Sequence, residues 1–233
     1  MDTNGNKYTI IYASVMVILV AVMLAIAATQ LKPYQDANIL IEKKQNILKS
    51  VNIASDVEQA NELFSSTIKE LFIVDSKGQN IEGDAFKVDL KVEHSKPVDQ
   101  RKLPVYVADM GEKGKVYIIP LRGTGLWGPI WGYIALLSDM NTIYGASFDH
   151  QGETPGLGAE INTEIFQKPF IGKTIFDQSG LFTALIVAKI GEKSDPAHTV
   201  DGISGGTITS KGLQKMLYDD LSTYQEFFKT IKK

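Results

Sequence analysis

The run Tyr8-Thr9-Ile10-Ile11-Tyr12-Ala13-Ser14-Val15-Met16-Val17-Ile18-Leu19-Val20-Ala21-Val22-Met23-Leu24-Ala25-Ile26-Ala27-Ala28-Thr29 divides the chain into what precedes a domain and the domain itself. It contains no charged residue and is apolar on every face. Roughly 20 such residues at about 1.5 Å each match a hydrocarbon core about 30 Å thick. A soluble core helix would show a polar face. A signal peptide would have a shorter apolar core before a small-x-small cleavage site, which Ala25 to Ala28 only mimic. The expectation is a retained single-pass anchor over residues 1–32. Lys7 precedes the span, whereas Lys32, Lys43, Lys44 and Lys49 follow it. Taken literally, the positive-inside rule places the remainder in the cytoplasm, but long domains translocate largely regardless of charge.

Beyond Pro33, the segment Tyr34–Val51 carries Ile39, Leu40, Ile47 and Leu48 at helical spacing among Glu42, Lys43 and Lys44, the pattern of an amphipathic helix continuing from the anchor. Ser55 with Glu58 three residues later has the spacing of a capping box, so a second helix is expected from Ser55 to about Leu63. Phe86, Val88, Leu90 and Val92 then alternate with Lys87, Asp89, Lys91 and Glu93, which reads as a half-buried strand. Further strands are expected at Val105–Ala108, Val116–Pro120, Trp131–Leu137 and Leu181–Ile190. Helical pattern returns at Ala159–Phe166 and at Thr209–Ile231, where Leu213, Met216, Leu217, Leu221, Tyr224 and Phe228 share one face. These elements give an α+β fold with an antiparallel-rich sheet and flanking helices. Residues 33–85 are expected as a helical connector and the start of the globular part, and 86–233 as the main domain.

The chain has 233 residues, 44% hydrophobic and 22% charged, which supports one packed domain rather than long disorder. Its net charge of −3, with lysines scattered among acidic residues, leaves no basic stripe for a nucleic-acid backbone. The absence of cysteine excludes disulfides, thiolate zinc sites and cysteine-ligated iron–sulfur clusters. His94, His150 and His198 are too widely spaced to suggest a metal site.

Three glycine-bearing segments carry the chemistry. In Asp201-Gly202-Ile203-Ser204-Gly205-Gly206-Thr207-Ile208-Thr209-Ser210, adjacent glycines allow close approach of a ligand just before a helix N-terminus, an arrangement suited to phosphate. The plainer reading is a turn with a Ser/Thr cap. The segment resembles the Asp-x-x-(Ser/Thr)-Gly-Ala-Thr signature of flavinylated FMN-binding domains. That resemblance makes Thr207 the acceptor of an FMN phosphoester, with Asp201 and Ser204 read by a flavin transferase and Gly205 and Gly206 beside the flavin. Gly206 departs from the usual alanine. Thr209 is the competing acceptor, and local chemistry does not separate the two.

The second segment is His150-Gln151-Gly152-Glu153-Thr154-Pro155-Gly156-Leu157-Gly158, a turn stiffened by Pro155. Read alone it offers Glu153 and His150 as an acid/base pair, without an evident partner. It is similar to a block in flavin-binding subunits of ion-translocating oxidoreductases. The likeness implies that Glu153 and Thr154 contact polar atoms of the isoalloxazine ring, Leu157 packs on it, and Gly158 gives it room. The third segment, Gly123-Thr124-Gly125-Leu126-Trp127-Gly128-Pro129-Ile130-Trp131, resembles a Gly-x-Gly-Leu-Trp-Gly block of the same subunits. It makes Trp127 a wall of the flavin pocket, against the simpler reading of a Gly-kinked strand with core aromatics. Lys189, ahead of Asp201, is a candidate for neutralising flavin charge, against the simpler reading of a solvated lysine at a strand end.

The order of anchor and blocks resembles that of the NqrC family, which belongs to the Na+-translocating NADH:quinone oxidoreductases, and the likeness runs from anchor to terminal helix. It implies an electron-relay subunit with covalent FMN, no catalytic base, electrons passing toward quinone coupled to sodium export, and a domain on the periplasmic side of the inner membrane. Partners implied are the other membrane subunits and, during maturation, the flavin transferase. Alternatives are the similar G subunit of the Rnf ferredoxin:NAD+ complex, a cofactor-free membrane-anchored binding module, and a hydrolase using Ser204 or Thr207 with His150.

Overall fold

The computed structural model describes residues 5–192 and 194–232, so the expected anchor 1–32 is described from Gly5 onward. The chain forms two units, one ending at Lys43 and one running from Lys44. The second unit therefore begins inside the segment 33–85 expected as connector and start of the globular part. Helix α1 spans Asn6–Ser50 without a break at Pro33. An 18-residue window of it has a mean hydropathy of 2.8 and no buried residue, as an anchor in lipid requires.

The second unit is α+β, as expected. Helix α2 (Ala60–Thr67) leads directly into strand β1 (Ile68–Val74), followed by β2 (Asn80–Ile81), helix α3 (Leu90–His94), β3 (Leu103–Asp109), β4 (Lys115–Thr124), β5 (Pro129–Leu136) and β6 (Ile143–His150). These six strands form one sheet in the order β2-β1-β3-β4-β5-β6, with every neighbouring pair antiparallel. After a short helix α4 (Glu164–Gln167), strands β7 (Ile186–Ala188) and β8 (Thr199–Asp201) pair in parallel, and helices α5 (Thr207–Thr223) and α6 (Gln225–Ile231) close the chain.

Both sheet faces are covered. On one, Leu213, Leu217, Leu221 and Phe228 of α5 and α6 pack with Val105, Val107, Ile119 and Ile134. On the other, Ile47, Leu48 and Val51 pack with Phe64, Tyr106, Ile118 and Ala135. Burial on both faces explains why β3 is apolar through Leu103–Ala108 instead of alternating.

Several expectations need correction. Phe86–Glu93 is no strand: Asp84 accepts from the Phe86 N–H and Asp89 from the Lys91 N–H, capping a 3-10 turn at Ala85–Lys87 and helix α3. Local side-chain bonds there outcompete the alternating pattern. Val92 is exposed while Glu93 is buried, accepting from the Lys102 N–H and from Lys96. The second helix starts at Ala60, because Asp56, not Ser55, accepts from the Gln59 N–H. Leu181–Ile190 contracts to β7, since Asp177 binds the Ser179 and Leu181 amides in a turn. Ala159–Phe166 is a 3-10 turn at Gly158–Asn162 followed by α4, and the terminal helix divides at Tyr224. Strands β1, β2, β6 and β8 fell outside the sequence expectations.

Candidate functional site

Segments far apart in sequence meet at one carboxylate. The turn after β6 presents Glu153, which is only 5% exposed. Its Oε1 accepts from the Trp127 N–H at 2.9 Å and its Oε2 from the Thr209 hydroxyl at 2.6 Å. Its own N–H donates to His150 Nδ1 at 3.1 Å. Glycine is required on both sides. A Cβ on Gly125 would stand 2.4 Å from Oε1, and one on Gly158 would stand 2.3 Å from Oε2 and 2.4 Å from the Thr209 hydroxyl oxygen.

The loop into α5 is fastened from several directions. The Gly202 N–H donates to the Ala188 carbonyl at 2.7 Å and the Ile203 N–H to Ser210 Oγ at 3.0 Å. Gly206 occupies the N-cap and so supplies no side-chain acceptor to the first turn, which also lacks an acidic residue. The amides there are left for an external anion, and the positive end of the helix dipole favours one. Thr207 is exposed at the first helical position, whereas Thr209 is 1% exposed and bonded to Glu153. The structure thus gives the two threonines different environments where sequence did not.

Two cavities share Gly205 and Thr207. The larger, about 920 Å³, is lined by Lys189, Ile190, Ser204, Lys211 and their neighbours, within the range of cofactor sites. The smaller, about 220 Å³, is walled by Leu126, Thr154, Leu157 and Ile208. Glu153, Gly158, Gly206 and Thr209 also line it. These residues fit FMN: uncapped amides with Lys211 and Lys189 suit a phosphate, and the apolar wall suits a planar ring.

Of the residues singled out in sequence, Glu153, Thr154, Leu157, Gly158, Gly205, Gly206 and Thr207 come together around the smaller cavity, and Ser204 and Lys189 join Thr207 at the larger. Asp201 is exposed at the end of β8. Trp127 is 68% exposed beside the site and lines neither cavity. The Gly125 N–H closes a tight turn onto the Gly128 carbonyl at 2.8 Å, and in that turn Leu126 supplies the wall while Trp127 contributes its backbone N–H. Leu126, Ile208 and Lys211 were missed. Leu126 and Ile208 lie within the motifs already read, and Lys211 sits four residues after Thr207, one helical turn along the same face.

The chain matches the family described as FMN-binding domain over residues 125–222. It is similar to the C subunit of the Na(+)-translocating NADH-quinone reductase of Pseudomonas aeruginosa, at 33% identity covering 93% of this chain and 92% of that protein. To the C subunit from Neisseria meningitidis serogroup A it is 31% identical, covering 91% and 88%. Among solved structures, that of the C subunit of the Na(+)-translocating NADH-quinone reductase from Parabacteroides distasonis superposes with a TM-score of 0.79 at 46% identity, covering 85% of this chain and 96% of that one. Shewanella oneidensis NqrC, at 24% identity and a TM-score of 0.70 over 83% of this chain and 97% of that one, shares the fold.

Proposed function

Because this chain belongs to the NqrC family of the Na(+)-translocating NADH-quinone reductases, an oxidoreductase complex, and contains an FMN-binding domain, we propose that it carries FMN covalently on Thr207 as a phosphoester and relays electrons toward quinone, coupled to sodium export. FMN supplies electron transfer when bound, and the protein's part is to hold and surround it. The observation that carries this reading is the exposed Thr207 hydroxyl at an uncapped helix start, standing between a lysine-bearing groove and an apolar cavity, while Thr209 is buried and committed to Glu153.

In this reading the α5 amides, Lys211 and Lys189 balance the phosphate, and Leu126, Leu157 and Ile208 keep water from one face of the ring. Thr154, exposed at the cavity edge, is available to a polar ring atom. Asp201 and Ser204 are accessible to a flavin transferase. In the same reading α1 anchors the protein in the inner membrane beside the other members of the complex, with the domain on the periplasmic side.

The test is intact and peptide mass spectrometry on full-length protein co-expressed with a flavin transferase and exported. An FMN-sized adduct on the peptide spanning Asp201–Lys211, lost in Thr207→Ala, is the expected result. Its absence despite an active transferase refutes the relay and favours the cofactor-free anchored module.

A further inference from the structure

The geometry points to Glu153 as the residue that holds the flavin seat together: a positioning residue that ties three walls of the cavity to one another. The inference rests on the FMN reading above. Each carboxylate oxygen is engaged inside the protein, Oε1 by the Trp127 N–H and Oε2 by the Thr209 hydroxyl, and Gly125 and Gly158 press against them with no space for a methyl group. Glu153 lines the neighbouring cavity together with Leu126, Leu157 and Ile208, so what it fastens is the wall of that cavity.

Each bond fixes a different wall. The Trp127 amide belongs to the turn that carries Leu126. The Thr209 hydroxyl belongs to the first turn of α5, which carries Thr207 and Ile208. The Glu153 backbone belongs to the turn that carries Thr154 and Leu157, and its N–H is held by His150. Trp127 and Thr209 lie 26 and 56 positions from Glu153 along the chain, so its one side chain joins three separate segments. A truncated side chain would leave a buried hydroxyl and an amide without an acceptor, and the three segments without a common fastening. Glutamine preserves the joint: its carbonyl accepts from the Trp127 N–H, and its NH₂ donates to the Thr209 oxygen once that hydroxyl rotates.

The experiment compares full-length wild type, Glu153→Ala, Glu153→Gln and Thr209→Val, each co-expressed with a flavin transferase. It follows the flavinylated fraction over time by intact mass spectrometry, the visible circular dichroism of the attached flavin, and the thermal melt. Wild type and Glu153→Gln are expected to load alike and give the same flavin dichroism. Glu153→Ala is expected to load at least tenfold more slowly, with a weakened flavin band. A folded Glu153→Ala that loads at the wild-type rate with the wild-type band overturns the assignment. If Glu153→Ala does not fold, Thr209→Val carries the comparison, and wild-type loading and dichroism in that variant overturn it. Failure of Glu153→Gln to restore loading also overturns it. A wild-type chain that takes no flavin refutes the relay reading itself and this inference with it.

Discussion

Asp220 offers a sharp test of how the helix layer is locked to the sheet. It lies in α5, buried, with Oδ2 accepting from the Arg122 N–H of β4 at 2.7 Å and Oδ1 2.8 Å from His94 Nε2. Asp220→Ala orphans the strand amide, at about 1–3 kcal/mol, and leaves a small void worth about 1 kcal/mol. His94 is partly exposed and recovers solvation, so the pair itself adds little. The sum, about 3 kcal/mol, corresponds to a melting temperature about 6–12 °C lower for a domain of this size. Asp220→Asn retains an acceptor for Arg122 and is expected to cost under about 1 kcal/mol. Burial raises the Asp220 pKa above the ordinary carboxylate range, against the opposing pull of His94. The fold therefore binds that proton more tightly than the unfolded chain does. The associated stability is present below the unfolded value of about 3.9 and is lost as pH rises through the higher folded value. Asp220→Asn should thus gain on wild type as pH climbs from that region toward neutrality. Melts of the three proteins by far-ultraviolet circular dichroism across pH check both statements, and an Asp220→Ala melt within about 2 °C of wild type would refute the reasoning.

Other outcomes follow from single contacts. Trp127→Ala should leave both the melt and the flavinylated fraction near wild type, because the exposed indole lines neither cavity, whereas Leu126→Ala should lower the flavinylated fraction with the melt unchanged. Mass spectrometry and circular dichroism on the same preparations distinguish the two. Gly206→Ala places a Cβ 2.9 Å from Ile203 Cγ2, so overpacking should cost about 1–3 kcal/mol, read from urea unfolding, even though alanine is the residue that the flavinylation signature usually carries there. Tyr224→Phe deletes a buried hydroxyl that donates to the Pro104 carbonyl at 3.0 Å and should cost about 1 kcal/mol in the same assay.

Long, uniform patterns were legible in the sequence. The apolar run of α1, the largely apolar strands β3 to β5 and the helical stripe Leu213 to Phe228 each continue for long enough to identify themselves. Where a short side chain redirects the backbone, pattern misled: Asp84 and Asp89 turned an apparent strand into two caps, and Asp56 displaced Ser55 as the start of α2. Strand β6 escaped notice although Tyr144, Ala146 and Phe148 alternate with Gly145, Ser147 and Asp149. The three motifs identified the site, yet their mutual bonds are long-range facts. Only the fold reveals that Glu153 reaches Thr209, 56 positions away, and so withdraws that threonine from solvent while Thr207 stays accessible. One tight turn sends Leu126 to the smaller cavity and leaves the Trp127 indole exposed, a choice that spacing does not encode.

The last turns of α1 also set where the redox domain can be cut free. Ile47, Leu48 and Val51 are fully buried in the core against the sheet, so the helix that begins as an apolar span finishes as part of the domain's interior. At about 1.5–3 kcal/mol for each buried aliphatic side chain, losing all three removes roughly 5–9 kcal/mol, comparable to the whole stability of an ordinary domain. A protease that cleaves before Lys44 releases a soluble fragment with its core complete. One that cleaves just after Val51 removes all three and releases a fragment that unfolds, and limited proteolysis of the full chain should accumulate only the longer product.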